Sequence, residues 1–245
     1  MAGGRINIMA TIEKFGSLYF DGQPKEVGVS YNNEAISLGN TVPGKEISWV
    51  KLQSGLLIAD RCVCDDISWE QMGWKSLVFG TLITIDGKAY WCRCLKVGTG
   101  KDEPNEWDAA LDETGEDNDL WHWKGIYFWG QEAAKYGSLY HAVRGYTSAR
   151  DWRHHHTTGR GAIVGFRPAL EYLGIEPCSP DALLSKKAKV YCQGGVTIEG
   201  SLVDFSNYDI MLKADSLVRA SHPGISKKGR NIIVSRENII WLKEV

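Results

Sequence analysis

A chain of 245 residues with 43% hydrophobic and 24% charged side chains and a formal net charge of −2 has the composition of a globular protein, with room for one large domain or an ordinary domain plus a small one. No run approaches the roughly 18 uncharged apolar residues of a membrane helix, and the start lacks a basic stretch followed by an apolar core. The expectation is therefore a protein without membrane partner, span or signal peptide, made and kept in the cytoplasm. Charge is uneven: residues 186–245 hold ten Lys/Arg against six Asp/Glu, whereas residues 1–185 hold 18 against 24. Nine of the ten tryptophans fall between Trp49 and Trp152. Both asymmetries predict two units with different surfaces.

In chain order, Gly16–Gln23 reads as a first strand. Cys62-Val-Cys64 and Cys92-Arg-Cys94 lie in strand-like runs, where both members of a pair would face one side as small buried thiols. Zinc knuckles usually separate their cysteines by two residues, so neither a metal site nor disulfides are expected. Asp66 is a candidate cap for a helix over residues 67–72. Residues 77–95 form two β-rich runs around Asp86-Gly87, a hairpin signal. Residues 96–130 show little regular pattern apart from a turn opened by Asn105. The stretch Asp102–Asp119 carries nine acids and no base; it reads as a solvated loop, with calcium chelation the alternative although the order of an EF-hand loop is absent. Gln131–Lys135 reads as a short turn and residues 162–170 as a strand. Pro177 and Pro180 mark a break, after which Ser179 or Asp181 caps a short helix over residues 182–187.

The densest stretch is Arg144–Leu170. Arg144-Gly145 and Gly165-Phe166-Arg167 bracket polar, aromatic and histidine side chains that stack, hydrogen-bond or carry charge. Extended backbone would send His154 and His156 to one side, a geometry open to a transition metal, yet no carboxylate or thiolate at local spacing completes a site.

The ordered set Asn105-Glu-Trp-Asp, Trp121-His-Trp-Lys, Trp129-Gly-Gln-Glu, Arg144-Gly-Tyr-x-Ser-Ala-Arg-x-Trp and Gly165-Phe-Arg-Pro-Ala-Leu resembles phage and prophage proteins with a C-type-lectin-like fold. That fold is shared with formylglycine-generating enzymes and with variable proteins of diversity-generating retroelements. The resemblance covers roughly residues 45–172. It implies a loop-rich α+β domain, here taken as residues 1–174 with an N-terminal β extension. The enzymes hold copper on a late pair of cysteines, and this chain has none between Cys94 and Cys178; a non-catalytic protein without cofactor or metal is the expectation. In the retroelement proteins the residues between such anchors form the ligand-binding face. By position this marks Tyr146, Ser148, Arg150, Trp152, Arg153, His154, His155, His156, Thr157 and Arg160, with a structural role for Trp152 and one face of the stretch as the alternative.

After a linker over residues 175–187, residues 188–245 resemble Sm-like proteins of the bacterial Hfq type. The carriers are Gly200–Lys213, in which Leu202, Phe205, Ile210 and Leu212 suit an interior, a variable loop over 216–230, and Asn231–Leu242. This resemblance implies a small all-β barrel that forms homo-oligomers by pairing edge strands, or binds RNA through Tyr208, Lys227, Lys228, Arg230 and Arg236. Where the family has Lys-His in its uridine pocket this chain has Arg236-Glu237, which counts against RNA. The leading expectation is a phage-type binding protein, cytoplasmic in a bacterial host or virion-associated. Its lectin-like domain recognises a host protein, a glycan or a nucleotide, in one version as an anti-defence factor, and its Sm-like domain multiplies the site. An RNA-binding regulator and a histidine- or metal-dependent enzyme at His154 and His156 are the alternatives.

Overall fold

Alternation of apolar and polar residues with period two governs most of the chain, and strands follow from it. The computed structural model describes residues 10–135, 137–214 and 222–245. It divides into two units, Met1–Tyr172 and Leu173–Val245. The first contains β1 (Thr11–Phe15), β2 (Ser17–Phe20), β3 (Gln23–Lys25), β4 (Val29–Ser30), β5 (Ile36–Gly39), β6 (Ile47–Lys51), β7 (Leu57–Ala59) and β8 (Cys64–Asp65). Then come α1 (Trp69–Trp74), β9 (Thr81–Ile85), β10 (Lys88–Cys94), α2 (Glu106–Thr114), α3 (Asn118–Trp121), β11 (Tyr127–Ala133), β12 (Tyr140–Gly145), β13 (Trp152–His156), β14 (Val164–Phe166) and β15 (Pro168–Gly174).

Two six-stranded sheets, ordered β1-β6-β7-β15-β10-β9 and β13-β12-β11-β14-β8-β4, and a three-stranded sheet β3-β2-β5 build this unit. Successive residues of one strand feed two different apolar clusters. Trp49, Tyr127, Trp129 and Val143 join the first, and Val50, Phe128 and Ala142 the second. The inner strands of both large sheets are thus buried on both faces, as in Leu57–Ala59 and Val164–Phe166, while the edge strands β1 and β13 keep exposed residues.

The second unit contains α4 (Pro180–Leu183), β16 (Lys187–Cys192), β17 (Thr197–Phe205), β18 (Asp209–Ala214), β19 (Ile225–Lys228), β20 (Asn231–Ser235) and β21 (Ile239–Glu244). They form one sheet, β19-β20-β18-β17-β16-β21, wrapped around Val190, Leu202, Ile210, Leu212 and Val234. β17 bends at a register shift between Leu202 and Asp204. Just before it, Gly200 lies so close to β18 that a Cβ would sit 2.4 Å from the Lys213 carbonyl oxygen.

Two expectations about fold class are overturned. The protein is β-rich, with 47% strand and 13% helix, and not α+β. Among the described residues the four α-helices span four to nine residues, too short to form a layer of their own. The small barrel is also corrected, because among the described residues β21 pairs with β16 and β19 with β20, leaving the terminal strands unjoined. The bend in β17 lets the sheet cover its own cluster without closing.

Local corrections follow. α1 is capped by Ser68, whose hydroxyl accepts from Gln71 N in a capping box, while Asp66 serves another contact. Asn105 does cap α2, and Asp86 (φ 49) and Gly87 (φ 75) make the hairpin turn between β9 and β10. Residues 131–133 continue β11, Ser179 makes no side-chain cap, and residues 225–228 of the expected variable loop are strand. Residues 215–221 of that loop lie outside the described residues. All six cysteines are free, and five are buried. Cys92 and Cys94 share the first cluster, but Cys62 joins the second and Cys64 the first, because β8 begins only at Cys64.

Candidate functional site

The frame comes first. Arg144 at the end of β12 is 1% exposed; its Nη1 donates to Arg150 O at 2.8 Å and its Nη2 pairs with Asp108 of α2. Arg167, between β14 and β15, is fully buried. Its Nη2 donates to Trp121 O at 2.6 Å and its guanidinium lies 5.0 Å from the Trp107 ring and 4.7 Å from the Phe128 ring. Burial lowers its pKa, and the neighbouring Cys62 and Asp60 act in the opposite direction. At Gly165 a Cβ would stand 2.3 Å from Cys64 O, so only glycine lets β14 and β8 pair.

Between these anchors β13 is the terminal strand of its sheet, in unbroken antiparallel register with β12 from Trp152↔Arg144 to His156↔Tyr140. Alternation splits its side chains between two faces. On the side of the second cluster, Trp152 packs partly buried and donates from its indole to Gly98 O at 3.1 Å. Beyond it, His154 and His156 are exposed, their rings edge-on to Tyr140 at 5.4 and 5.5 Å. On the other face His155 is half-buried against Tyr127 (5.4 Å) and Trp129 (6.1 Å), and Arg153 is exposed beside Asp151 at 3.4 Å. His155 stands opposite His141, which is stacked on Trp69 at 3.6 Å, and burial lowers the pKa of both imidazoles.

His156 carries more chemical detail. The Thr158 backbone N–H donates to its Nδ1 at 3.3 Å. The Thr158 hydroxyl lies 2.9 Å from the same nitrogen, so Thr158 orients the imidazole through Nδ1. Among the described residues, no three His, Cys, Asp or Glu gather as a metal cluster.

The remaining candidates separate. Tyr146 and Ser148 are exposed in the turn before β13, and the Tyr146 ring stacks on Tyr127 at 4.8 Å and 12°. Thr157 is tied through its backbone to Leu139 O and Glu70 N. Arg150 and Arg160 are engaged within the fold. Arg150 reaches Glu116 at 2.6 Å, Asp112 at 2.7 Å and Asp108 at 3.5 Å; Arg160 forks onto Asp66 at 3.1 Å and donates to Asn33 at 3.0 Å. The acidic stretch 102–119 is therefore no solvated loop. It forms α2 and α3, and its carboxylates answer Arg93, Arg144 and Arg150. Tyr140 and Tyr127 were missed; reading 140–145 and 152–156 as a hairpin would have placed Tyr140 beside the histidines.

In the second unit Tyr208 is 83% exposed in the turn between β17 and β18, and its carbonyl accepts from Arg236 N at 2.8 Å. The Arg236 guanidinium lies 5.7 Å from the Phe205 ring. Lys227, Lys228 and Arg230 are exposed on the β19–β20 hairpin, where Lys228 pairs with Asn231. Ser235, next to Arg236, sits at the other end of β20, roughly 13 Å away at strand rise. The fold does not gather the five into one site.

Compared with known protein families, curated proteins and solved structures, the chain matches none. Among the described residues no helix is long and apolar enough to cross a membrane.

Proposed function

We propose that the protein is a non-catalytic binding protein whose recognition surface is the edge strand β13 with its preceding turn. One observation carries this reading: on the last strand of a buried sheet, His154 and His156 are exposed around Tyr140 while the flanking Arg144 and Arg167 are locked inside. Exposed aromatic and imidazole groups held on a rigid strand supply contact area and donors at small entropic cost. The resemblance of residues 45–172 to lectin-like phage proteins supports the same placement. It frames the ligand as a host protein, a glycan or a nucleotide, met in a bacterial cytoplasm.

The second unit assembles copies. Its open sheet ends on β19 and β21, and edge pairing between copies would satisfy their outward backbone groups and give avidity. RNA binding at this unit has one observation in its favour, the 83% exposure of Tyr208, whose backbone carbonyl accepts from Arg236 N.

The test uses the full chain, presented to a glycan array, nucleoside monophosphates and defined host proteins. The expected result is a ligand retained by the wild type and lost when Tyr140, His154 and His156 are all changed to Ala at unaltered Tm. Equal retention by both proteins, or none by either, would overturn the binding reading. Sedimentation velocity reads the second part: a monomer at every concentration removes the assembly role.

A further inference from the structure

Tyr146 holds a backbone conformation that side chains rarely adopt. Its φ is 75, in the left-handed region, where a Cβ crowds the backbone and a bulky aromatic residue is unusual. The turn pins it there: Tyr146 N donates to Trp123 O at 2.9 Å and its carbonyl accepts from Gly125 N at 3.0 Å. Glycine would make the same two bonds without strain, so what tyrosine adds at this position is its ring. That ring lies 4.8 Å from the buried Tyr127 ring and nearly parallel to it at 12°, and the residue remains 36% exposed. Tyr127 also contacts His155, ring centroids 5.4 Å apart. The result is a rigid two-ring stack with its outer member toward solvent.

Arginine completes the arrangement. Arg150 and Arg160 hold carboxylates at 2.6 to 3.1 Å with side chains 37% and 34% exposed, whereas Arg153 is 64% exposed and keeps a looser ion pair with Asp151 at 3.4 Å. Arg153 stands opposite Val143, which stands opposite Trp129, so it shares the sheet face of Tyr127 and opposes the rise that burial imposes on the Tyr127 hydroxyl pKa; this places its guanidinium at the margin of the stack. The Thr147 hydroxyl donates to Asp151 at 2.6 Å and draws on the same carboxylate. A flat π-face with a guanidinium at its rim is complementary to a planar ring that carries an anion.

We propose that Tyr146 is the stacking platform, and Arg153 the anion partner, of a subsite for a planar aromatic ring bearing a phosphate, that is, a nucleoside monophosphate. The proposal rests on the reading of residues 144–160 as a recognition surface and names the ligand class of one part of it. Base stacking on an aromatic side chain is tolerant of base identity, so purine nucleotides bind better than pyrimidine ones through ring area alone.

The experiment is calorimetric titration of the full chain with AMP, CMP, adenosine, ribose 5-phosphate and inorganic phosphate, repeated on Tyr146→Gly, Tyr146→Asn and Arg153→Gln. AMP is expected to bind about tenfold or more tightly than ribose 5-phosphate. Tyr146→Gly should lose that advantage with Tm little changed, because relieved strain offsets the lost Tyr127 stack, and Tyr146→Asn, also tolerant of this φ, should reproduce the binding loss. Arg153→Gln should bind AMP no better than adenosine. Equal AMP binding by wild type and both Tyr146 variants, preference for phosphate alone, or no binding of AMP overturns the subsite. If a glycan or protein ligand is then still lost with Tyr140, His154 and His156, only the subsite has failed; if no ligand depends on those residues either, the recognition surface has failed with it.

Discussion

The anchors and the strand between them are built from overlapping residue types put to opposite uses. Arg144 and Arg167 are buried and held by Asp108, carbonyl oxygens and aromatic faces, although Arg144 Nε and Arg167 Nε and Nη1 have no hydrogen-bond partner among the described residues, whereas Arg153, His154 and His156, a few residues away, stand in solvent. A buried guanidinium is costly unless its charge is answered, and the first unit supplies an acidic helix and an aromatic cluster to that end. The lesson is that a polar residue in this region is functional or structural according to which face of which strand it occupies.

The contrast is sharpest at Arg167. Arg167→Ala leaves a cavity between Trp107 and Phe128 and orphans the Trp121 carbonyl, and is expected to cost about 3–5 kcal/mol in urea unfolding. Arg167→Met, of similar length, should recover part of this. A Tm and midpoint equal to wild type for the alanine variant would break the distinction. Gly165→Ala is next, because its Cβ would meet the Cys64 carbonyl and part β14 from β8, at about 2–3 kcal/mol by the same measurement.

Buried His141 and half-buried His155 probe the inner face. Burial lowers the folded-state pKa of His141 and His155 below the unfolded value, so at intermediate pH the unfolded chain binds more protons. Their contribution to stability is present above the unfolded histidine value of about 6.5 and is lost as pH falls through the folded one. Unfolding followed from pH 8 to pH 5 should show that decline, and His155→Gln should flatten it. The smallest effect belongs to the outer face: His154→Ala and His156→Ala should change stability by within about 0.5 kcal/mol, and a larger loss would make them part of the frame.

Particular residues show how far the sequence could be read. The Asp86-Gly87 hairpin, the Asn105 cap and the inward set Leu202, Ile210 and Leu212 were legible, because each depends on neighbours a few positions away or on period two. The fold class was not. The α+β class was what the lectin-like resemblance implied, and a bent strand was given a closed barrel, since the balance of layers and barrel closure are decided by which distant edges pair. The acidic stretch misled for a related reason. Nothing local to Asp108, Asp112 or Glu116 announces Arg144 and Arg150, which arrive from roughly 35 residues away through β12 and the turn after it.

For the candidate site, the inventory was readable from sequence: two anchors, a strand of alternating aromatic, basic and imidazole groups, and a basic tail. Alternation, turn chemistry and composition are local properties, and they need no partner to be read. Only the tertiary structure decided that Arg150 and Arg160 are engaged by acids of the fold, that Tyr140 stands between His154 and His156, and that Tyr146 is held in strain over Tyr127. Those outcomes rest on contacts between residues far apart in the chain, where charge pairing, ring stacking and sheet register are settled together.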